Sequence, residues 1–153
     1  MNVEAENKYR EIYNQAIRYL SYREYAIEEL RTKLLKKFDS ELEVAQVLEQ
    51  LLSDDLLSEQ RFAESYIRAR VNKGYGPEHI RSELMQKGLA KWAIDQALKD
   101  SEFVWSEEVY KVWVKKFNQA PNDNMQDRVR QWRFLQYRGF SNEHIKMLFS
   151  RFD

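Results

Sequence analysis

The chain repeats Leu84-Met-Gln-Lys-Gly-Leu89 as Leu135-Gln-Tyr-Arg-Gly-Phe140, fifty-one residues later. A third, degenerate copy, Leu34-Leu-Lys-Lys-Phe-Asp39, lies fifty residues before the first of these two. In the better copies a basic residue, a glycine and an apolar residue follow one another, which is typical of a helix C-terminus. Similarity at one period indicates that a single supersecondary unit occurs in tandem. The pattern therefore predicts three related helical units.

Apolar residues recur every three or four positions along the chain, and no alternating run is long enough to predict a strand. Gly76-Pro77-Glu78 predicts a helix start, because proline fixes the first helical φ and the carboxylate meets the positive helix end. Ser40 and Glu43 have the spacing of a capping box. We predict helices near residues 5–22, 25–37, 41–53, 58–73, 77–87, 90–99, 104–118, 124–138 and 141–151.

Nine helices in groups of three predict units at residues 1–57, 58–103 and 104–153. A unit of about 50 residues is too small to be very stable alone, so we expect neighbours to stack. A single irregular bundle, in which the two glycine stops coincide by chance, is the alternative. The repeat is favoured because the apolar positions of the following helices also agree at the same spacing. These positions are Ile94, Ala97 and Leu98 against Ile145, Leu148 and Phe149.

The composition limits the class of protein. With 43% hydrophobic and 33% charged residues, the chain can form a core, and no apolar run reaches the ~18 residues that a membrane helix needs. The first ten residues lack the apolar stretch of a secretory signal. The absence of cysteine excludes disulfides and thiol catalysis and fits a reducing compartment. We expect a cytoplasmic monomer that does not associate with membranes.

The formal net charge of zero hides an uneven distribution. Counted from the sequence, the three predicted units carry −4, +1 and +3 in chain order. An acidic beginning and a basic end suit two unlike partners or one polyelectrolyte assembly. An ordinary dipole of a globular protein is the alternative, and charge alone does not separate the two.

Motifs for chemistry are absent. The chain has no nucleophile elbow, phosphate-binding glycine loop or dinucleotide fingerprint. Its two histidines, His79 and His144, are sixty-five residues apart, and we expect them to be exposed in the first turns of two helices. We predict no catalytic residue, no metal site and no cofactor, and therefore a protein that is not an enzyme.

The helix near 124–138 carries the strongest interaction signal. At 100° per residue, Val129, Trp132 and Leu135 share one side, which should face the core. Guanidinium groups interleaved with rings on the opposite side suit an acidic protein surface or a phosphate backbone. Alternatively, the rings pack on the neighbouring unit while the arginine stems cover them. The residues of this opposite side are Arg130, Arg133, Phe134 and Tyr137.

Two further polar rows occur in the preceding helices. Arg61 and Arg68 are seven residues apart on one helix, and Lys111 and Lys115 are four apart on another. Stacked units could merge these rows into a basic band, which would bind nucleic acid in a salt-dependent and largely sequence-independent way. A solvated helix face is the alternative.

The residues resemble the bacterial RecX family, regulators of the RecA recombinase. Three segments in the same order and spacing carry the resemblance and cover about residues 15–150. They are Glu29-Leu-Arg-Thr-Lys-Leu34, then Arg61-Phe-Ala63 with Lys73-Gly-Tyr-Gly-Pro-Glu-His-Ile-Arg-Ser-Glu-Leu-Met-Gln-Lys-Gly-Leu89, and Arg133-Phe-Leu-Gln-Tyr-Arg-Gly-Phe140.

The resemblance implies an all-α, elongated and curved array of three tandem three-helix repeats. It implies a protein that lies in the groove of the RecA–single-stranded-DNA filament and caps or destabilises it, which suppresses ATP hydrolysis, strand exchange and support of repressor self-cleavage. It implies no catalytic residues. Lys73, Gly74, Tyr75 and Gly76 match the family's central motif, and Arg133, Tyr137 and Arg138 match its third-repeat motif.

One position departs from the family pattern. Relatives often have glycine and an acidic pair before the second repeat, where this chain has Asp55-Leu-Leu-Ser-Glu59. Aspartate tolerates the left-handed conformation better than most residues, so we expect the turn to be retained.

The alternative function is that of a sequence-nonspecific nucleic-acid-binding helical repeat protein.

Overall fold

The computed structural model describes residues 3–118 and 124–152, and these ranges form nine helices and no strand. All nine predicted helices are confirmed, with ends that differ from the prediction by at most two residues. The helices are α1 (Val3–Tyr22), α2 (Ile27–Lys37), α3 (Glu41–Ser53), α4 (Glu59–Asn72), α5 (Pro77–Gln86), α6 (Lys91–Asp100), α7 (Trp105–Phe117), α8 (Met125–Tyr137) and α9 (Asn142–Ser150). No helix in the described ranges is both long and apolar enough to cross a membrane.

The helices form three trios, each with its own buried cluster. The extensive packing lies within α1–α3, within α4–α6 and within α7–α9. The third helix of each trio buries side chains at equivalent positions, spaced by fifty and then fifty-one residues. These side chains are Val44, Val47 and Leu48, then Ile94, Ala97 and Leu98, then Ile145, Leu148 and Phe149.

The helix ends predicted from the repeated hexapeptide are confirmed. Gly88 and Gly139 have φ values of +92° and +100°, a region that other residues rarely adopt. The N–H of Leu89 bonds the carbonyl of Leu84 at 3.2 Å, and Phe140 N–H bonds Leu135 at 3.1 Å. Both bonds close a Schellman-type end that folds the apolar residue back onto its helix.

The helices of the first trio end in a different way. In the degenerate copy, α2 ends at Phe38 in an extended conformation with φ −123°. The left-handed position lies instead after α3, where Asp55 has φ 57° and Leu57 N–H bonds the carbonyl of Leu51 at 3.1 Å. The expected turn at Asp55 is therefore retained.

The capping box predicted at Ser40 and Glu43 is wrong. The Ser40 hydroxyl donates to the Glu43 carboxylate and accepts no backbone N–H. The second hydrogen bond of a capping box, from the N-cap N–H to the carboxylate three residues later, occurs at α2. There Glu29 Oε1 accepts the N–H of Ala26 at 3.1 Å. Short-range spacing alone does not tell which partner a serine hydroxyl chooses.

The predicted core face of α8 is partly wrong. Val129 is 43% exposed, whereas Gln131 and Leu135 are buried. The buried indole N–H of Trp113 needs an acceptor, and Gln131 Oε1 supplies one at 2.9 Å. This pairing turns Gln131 toward the core, because a buried donor without a partner is costly.

Successive trios meet end to end through α8, α5 and α2. The N–H of Gly76 donates to the carbonyl of Arg138 at 2.7 Å, and Glu78 N–H donates to Gly139 at 2.9 Å. The C-terminus of α8 therefore caps the N-terminus of α5. The negative C-terminal end of the α8 dipole therefore faces the positive N-terminal end of the α5 dipole. We call this contact the glycine junction.

The corresponding contact between α5 and α2 uses side chains. Lys87 Nζ lies 3.0 Å from Glu29 Oε2, and Arg23 Nη1 lies 3.1 Å from Glu29 Oε1. Burial alone would raise the pKa of Glu29, but hydrogen bonds from Arg23, Lys87 and the Ala26 N–H outweigh it and hold the pKa below its ordinary value. Glu29 thus joins the first two trios as a carboxylate.

Glu29→Gln should lower stability at neutral pH by on the order of 1 kcal/mol. Because the folded pKa lies below the unfolded value, the wild-type advantage exists above the ordinary glutamate range and is lost as the pH falls through the folded pKa. Urea unfolding at pH 7 and pH 3 measures this, with exposed Glu49→Gln as the control. An unchanged difference between wild type and Glu29→Gln at the two pH values would contradict the assignment.

Candidate partner-binding surface

An open groove of about 450 Å³ lies between the second and third trios. The end of α4 forms one wall, and α7 and the end of α8 form the other. Its apolar lining side chains include Phe103, Val112 and Phe134. We call it the basic groove after its positively charged side chains, which are Lys73, Lys111, Lys115, Lys116 and Arg138.

The groove has an excess of positive charge. Five cations line it against one carboxylate, Glu108, which lies 3.2 Å from Lys111 Nζ. Lys73 and Lys115 are exposed, and neither has an ion-pair partner among residues 3–118 and 124–152. Such a concentration of one sign attracts anionic partners and speeds their association.

Arg138 is held in place rather than free. Its Nη1 donates to the carbonyl of Lys73 at 3.0 Å, and its guanidinium lies 5.0 Å from the ring centre of Tyr75 and 5.1 Å from that of Phe134. Tyr75 in turn stacks on His79 at 4.4 Å between ring centres. Arg138 therefore lines the groove in a fixed position, with the Tyr75 ring packed against its guanidinium, and a preformed wall lowers the entropic cost of binding.

Phe134 packs within its own trio. Its ring meets Phe117 of α7 edge-on at 5.5 Å, and Lys116 Nζ lies 5.3 Å from its centre. The alternative in which Phe134 packs on the neighbouring unit is therefore wrong, because the ring that it contacts is Phe117 of its own trio. The ring supports the cations of the groove, as aromatic faces do.

The remaining residues of the α8 surface point into solvent. Tyr137 is 81% exposed, and Arg133 is exposed as well. Arg130 forms a 3.7 Å ion pair with Asp127, and such exposed pairs contribute little energy. None of the three lines the basic groove, so they form a separate exposed row on the third trio.

Arg61 does not belong to a basic band. Its Nε lies 3.1 Å from Glu24 Oε1, and its Nη1 lies 3.1 Å from Asp55 Oδ1. Hydrogen bonding to Glu24 raises the pKa of this guanidinium above its ordinary value. Arg61 therefore fixes the first trio to the second, because the two carboxylates neutralise it. Arg68 stays exposed on α4 and is not among the residues of the groove.

The expectation that His79 is simply exposed is wrong. Its Nε2 lies 3.1 Å from Glu83 Oε1, and Glu83 Oε2 accepts bonds from Tyr66 and Arg70 at 2.7 Å each. His144 is half-buried against the Ser141 hydroxyl. Both histidines thus contact a polar side chain of their own helix region, and the described ranges hold no group of three His, Cys, Asp or Glu side chains suited to a metal ion.

Sequence reasoning missed Lys116 and the glycine junction. Lys116 follows Lys115 directly in the last turn of α7, and adjacent helical residues point about 100° apart, so spacing did not place both at one groove. The backbone contact of Gly76 with Gly139 joins residues sixty-three positions apart. The only available signal was that both glycines lie in segments typical of helix ends.

Three family models match the chain in order. They describe the first, second and third three-helix domains of RecX and match residues 13–51, 58–98 and 106–149. Proteins called "Regulatory protein RecX" from Pseudomonas putida and Pseudomonas entomophila are 46% and 44% identical over 136 residues, which is 88% of this chain and 86% and 87% of theirs.

Solved structures agree with these matches. The crystal structure of RecX from Lactobacillus salivarius has a TM-score of 0.80 at 25% identity and covers 95% of this chain and 97% of its own. A second crystal structure of regulatory protein RecX has a TM-score of 0.78 at 29% identity, covering 94% and 73%. Sequence and fold therefore agree along all three trios, and the chain belongs to the RecX family of regulatory proteins.

Proposed function

We propose that this protein is a negative regulator of the RecA recombinase. It binds the RecA–single-stranded-DNA filament and caps or destabilises it. Its binding suppresses the ATPase, strand-exchange and coprotease activities of the filament. Membership in the RecX family supports the partner, and the observation that carries the binding mode is the basic groove with its exposed cations Lys73 and Lys115.

The tandem architecture suits a target that is itself a repeated array. Each trio offers a modest contact surface, and linked modest contacts reinforce one another when the target holds its own sites in register. The glycine junction fixes the second trio to the third, so the groove between them is formed before binding. Free recombinase offers fewer sites at once and binds more weakly than the filament.

Regulation in this proposal needs no catalysis by this chain. A protein that binds one state of a filament better than another shifts the filament toward that state, by as much as the difference in affinity. The protein acts as a cytoplasmic monomer, and its open groove meets a macromolecular surface rather than a small substrate.

The second candidate function is sequence-nonspecific nucleic-acid binding. The excess positive charge of the basic groove favours it, since phosphates bind such surfaces through release of counterions. If it is correct, Lys73→Ala with Lys115→Ala, which removes two cations of the basic groove, weakens binding to bare single-stranded DNA and flattens its salt dependence. If filament regulation is correct, this pair weakens inhibition while the already weak affinity for bare DNA changes little. Fluorescence anisotropy at several salt concentrations, beside inhibition assays, distinguishes the two.

The direct test is the ATPase activity of RecA on single-stranded DNA with this protein added below the recombinase concentration. Suppression at substoichiometric amounts is expected, because one bound molecule affects many protomers of a filament. Unchanged ATP hydrolysis at equimolar amounts would reject the proposed function. Saturating the DNA with RecA before addition keeps simple competition for free DNA from imitating the effect.

A further inference from the structure

A second groove lies on the middle trio, between α4 and α6, with a volume of about 300 Å³. Ala63, Ala93 and Ala97 line it, and these small side chains keep the two helices close while leaving a trough between them. The Trp92 ring stands beside the trough and is 77% exposed. A large ring left in solvent beside an apolar trough is typical of a surface that a partner covers.

The rim of this groove is acidic. Glu59, Glu64 and Asp100 line it, and no lysine or arginine does. Their hydrogen-bond donors are uncharged: the Ile27 N–H for Glu59, the Gln60 amide for Glu64 and the Gln96 amide for Asp100. No ion pair involves any of the three within residues 3–118 and 124–152. We call this trough with its carboxylates the acidic groove.

The first trio carries a related feature at the equivalent position. Leu42 lies fifty residues before Trp92, is 66% exposed, and borders a groove of about 540 Å³ between α1 and α3. Both side chains lie in the first turn of the third helix of a trio. The third trio has Glu143 at this position. Two adjacent units therefore present an exposed apolar side chain beside a groove between their first and third helices, although the groove beside Leu42 is lined by Tyr9, Tyr13 and Arg10 as well as by Ala5.

We propose that the acidic groove is the surface that binds a RecA protomer, through a segment in which an apolar side chain is flanked by lysine or arginine. The inference rests on the proposed function and adds to it that the two grooves bind different parts of the filament. Carboxylates repel phosphates, so the acidic groove meets protein, whereas the basic groove meets the anionic part of the filament. The apolar anchor packs on the alanine trough, and the flanking cations pair with the rim and lie over the Trp92 face.

The test compares Trp92→Ala and the double variant Glu64→Gln with Asp100→Asn against wild type in the RecA ATPase assay. The control is Tyr22→Ala, which removes a ring that is 82% exposed and lies outside the acidic groove, the basic groove and the groove beside Leu42. Loss of a tryptophan at the centre of an interface should raise the half-inhibitory concentration about 30-fold. The double variant should raise it severalfold and reduce its dependence on salt.

The affinity for bare single-stranded DNA should not fall in either variant, since neither change removes a positive charge. If wild type inhibits and Trp92→Ala inhibits equally well, or if Tyr22→Ala loses as much, the acidic groove is not the docking surface while the proposed function stands. A parallel loss of DNA affinity in Trp92→Ala makes the groove a nucleic-acid surface and overturns the inference. If wild type itself neither binds nor inhibits the filament, the proposed function fails and the inference fails with it.

Discussion

Gly139→Ala is expected to destabilise the protein by about 3–5 kcal/mol, from left-handed strain and overpacking together. Gly139 has φ +100°, and an added Cβ would lie 2.4 Å from His79 Cβ and 2.5 Å from His79 N. The backbone of α5 would have to move, and the bond from Glu78 N–H to the Gly139 carbonyl would be lost with it. Urea unfolding followed by circular dichroism measures the change.

Gly88→Ala is the matched control. It occupies the equivalent position one repeat earlier with φ +92°, but its added Cβ would meet only the flexible Glu28 side chain, at 3.0 Å. It should therefore pay for the backbone conformation alone, about 1–2 kcal/mol. Equal losses for the two variants would mean that the glycine junction adds nothing to stability.

If the proposed function is correct, reversing two charges of the basic groove, Lys73→Glu with Lys115→Glu, is expected to weaken inhibition of RecA about 100-fold. Like charges placed opposite one another cost several kcal/mol in an interface. Both side chains are exposed and have no ion-pair partner in the described ranges, so the fold should be unaffected. Dose–response curves of RecA ATPase measure the loss, and thermal unfolding checks the fold.

Lys99→Glu with Lys146→Glu is the control, since it changes the net charge equally at exposed positions outside the basic groove. Its inhibition should stay within a few-fold of wild type. If both double variants lose inhibition alike, the effect comes from overall charge, and the groove has no special role. If neither loses it, the basic groove does not contact the filament.

Local rules predicted the helices and their ends well. Glycine after a basic residue at Gly88 and Gly139 ends a helix for reasons that lie within a few residues. The same holds for Asp55, whose left-handed turn follows from its short polar side chain. The repeat spacing then correctly related the buried positions of the third helices in the second and third trios, and the structure shows the same positions buried in the first trio, because equivalent units bury equivalent faces.

The burial and the charge environment of several residues depend on partners far along the chain, which sequence patterns do not reveal. Gln131 is buried because Trp113, eighteen residues earlier, needs an acceptor, and no periodicity reveals that bond. Arg61 was predicted as a binding residue, but Glu24, thirty-seven residues away, neutralises it. Lys73, Lys111 and Lys115 were named as candidates, but only the stacking of the second trio on the third places them around one groove.

In the proposed function, three tandem trios of this protein recognise a filament of repeated RecA protomers, and one comparison tests this most directly. The affinity of this protein for the RecA–single-stranded-DNA filament should be measured against its affinity for free RecA at the same salt concentration. Tandem contacts predict clearly tighter binding to the filament, since only there are several sites held in register. Equal affinity for free and filamentous RecA would contradict the account.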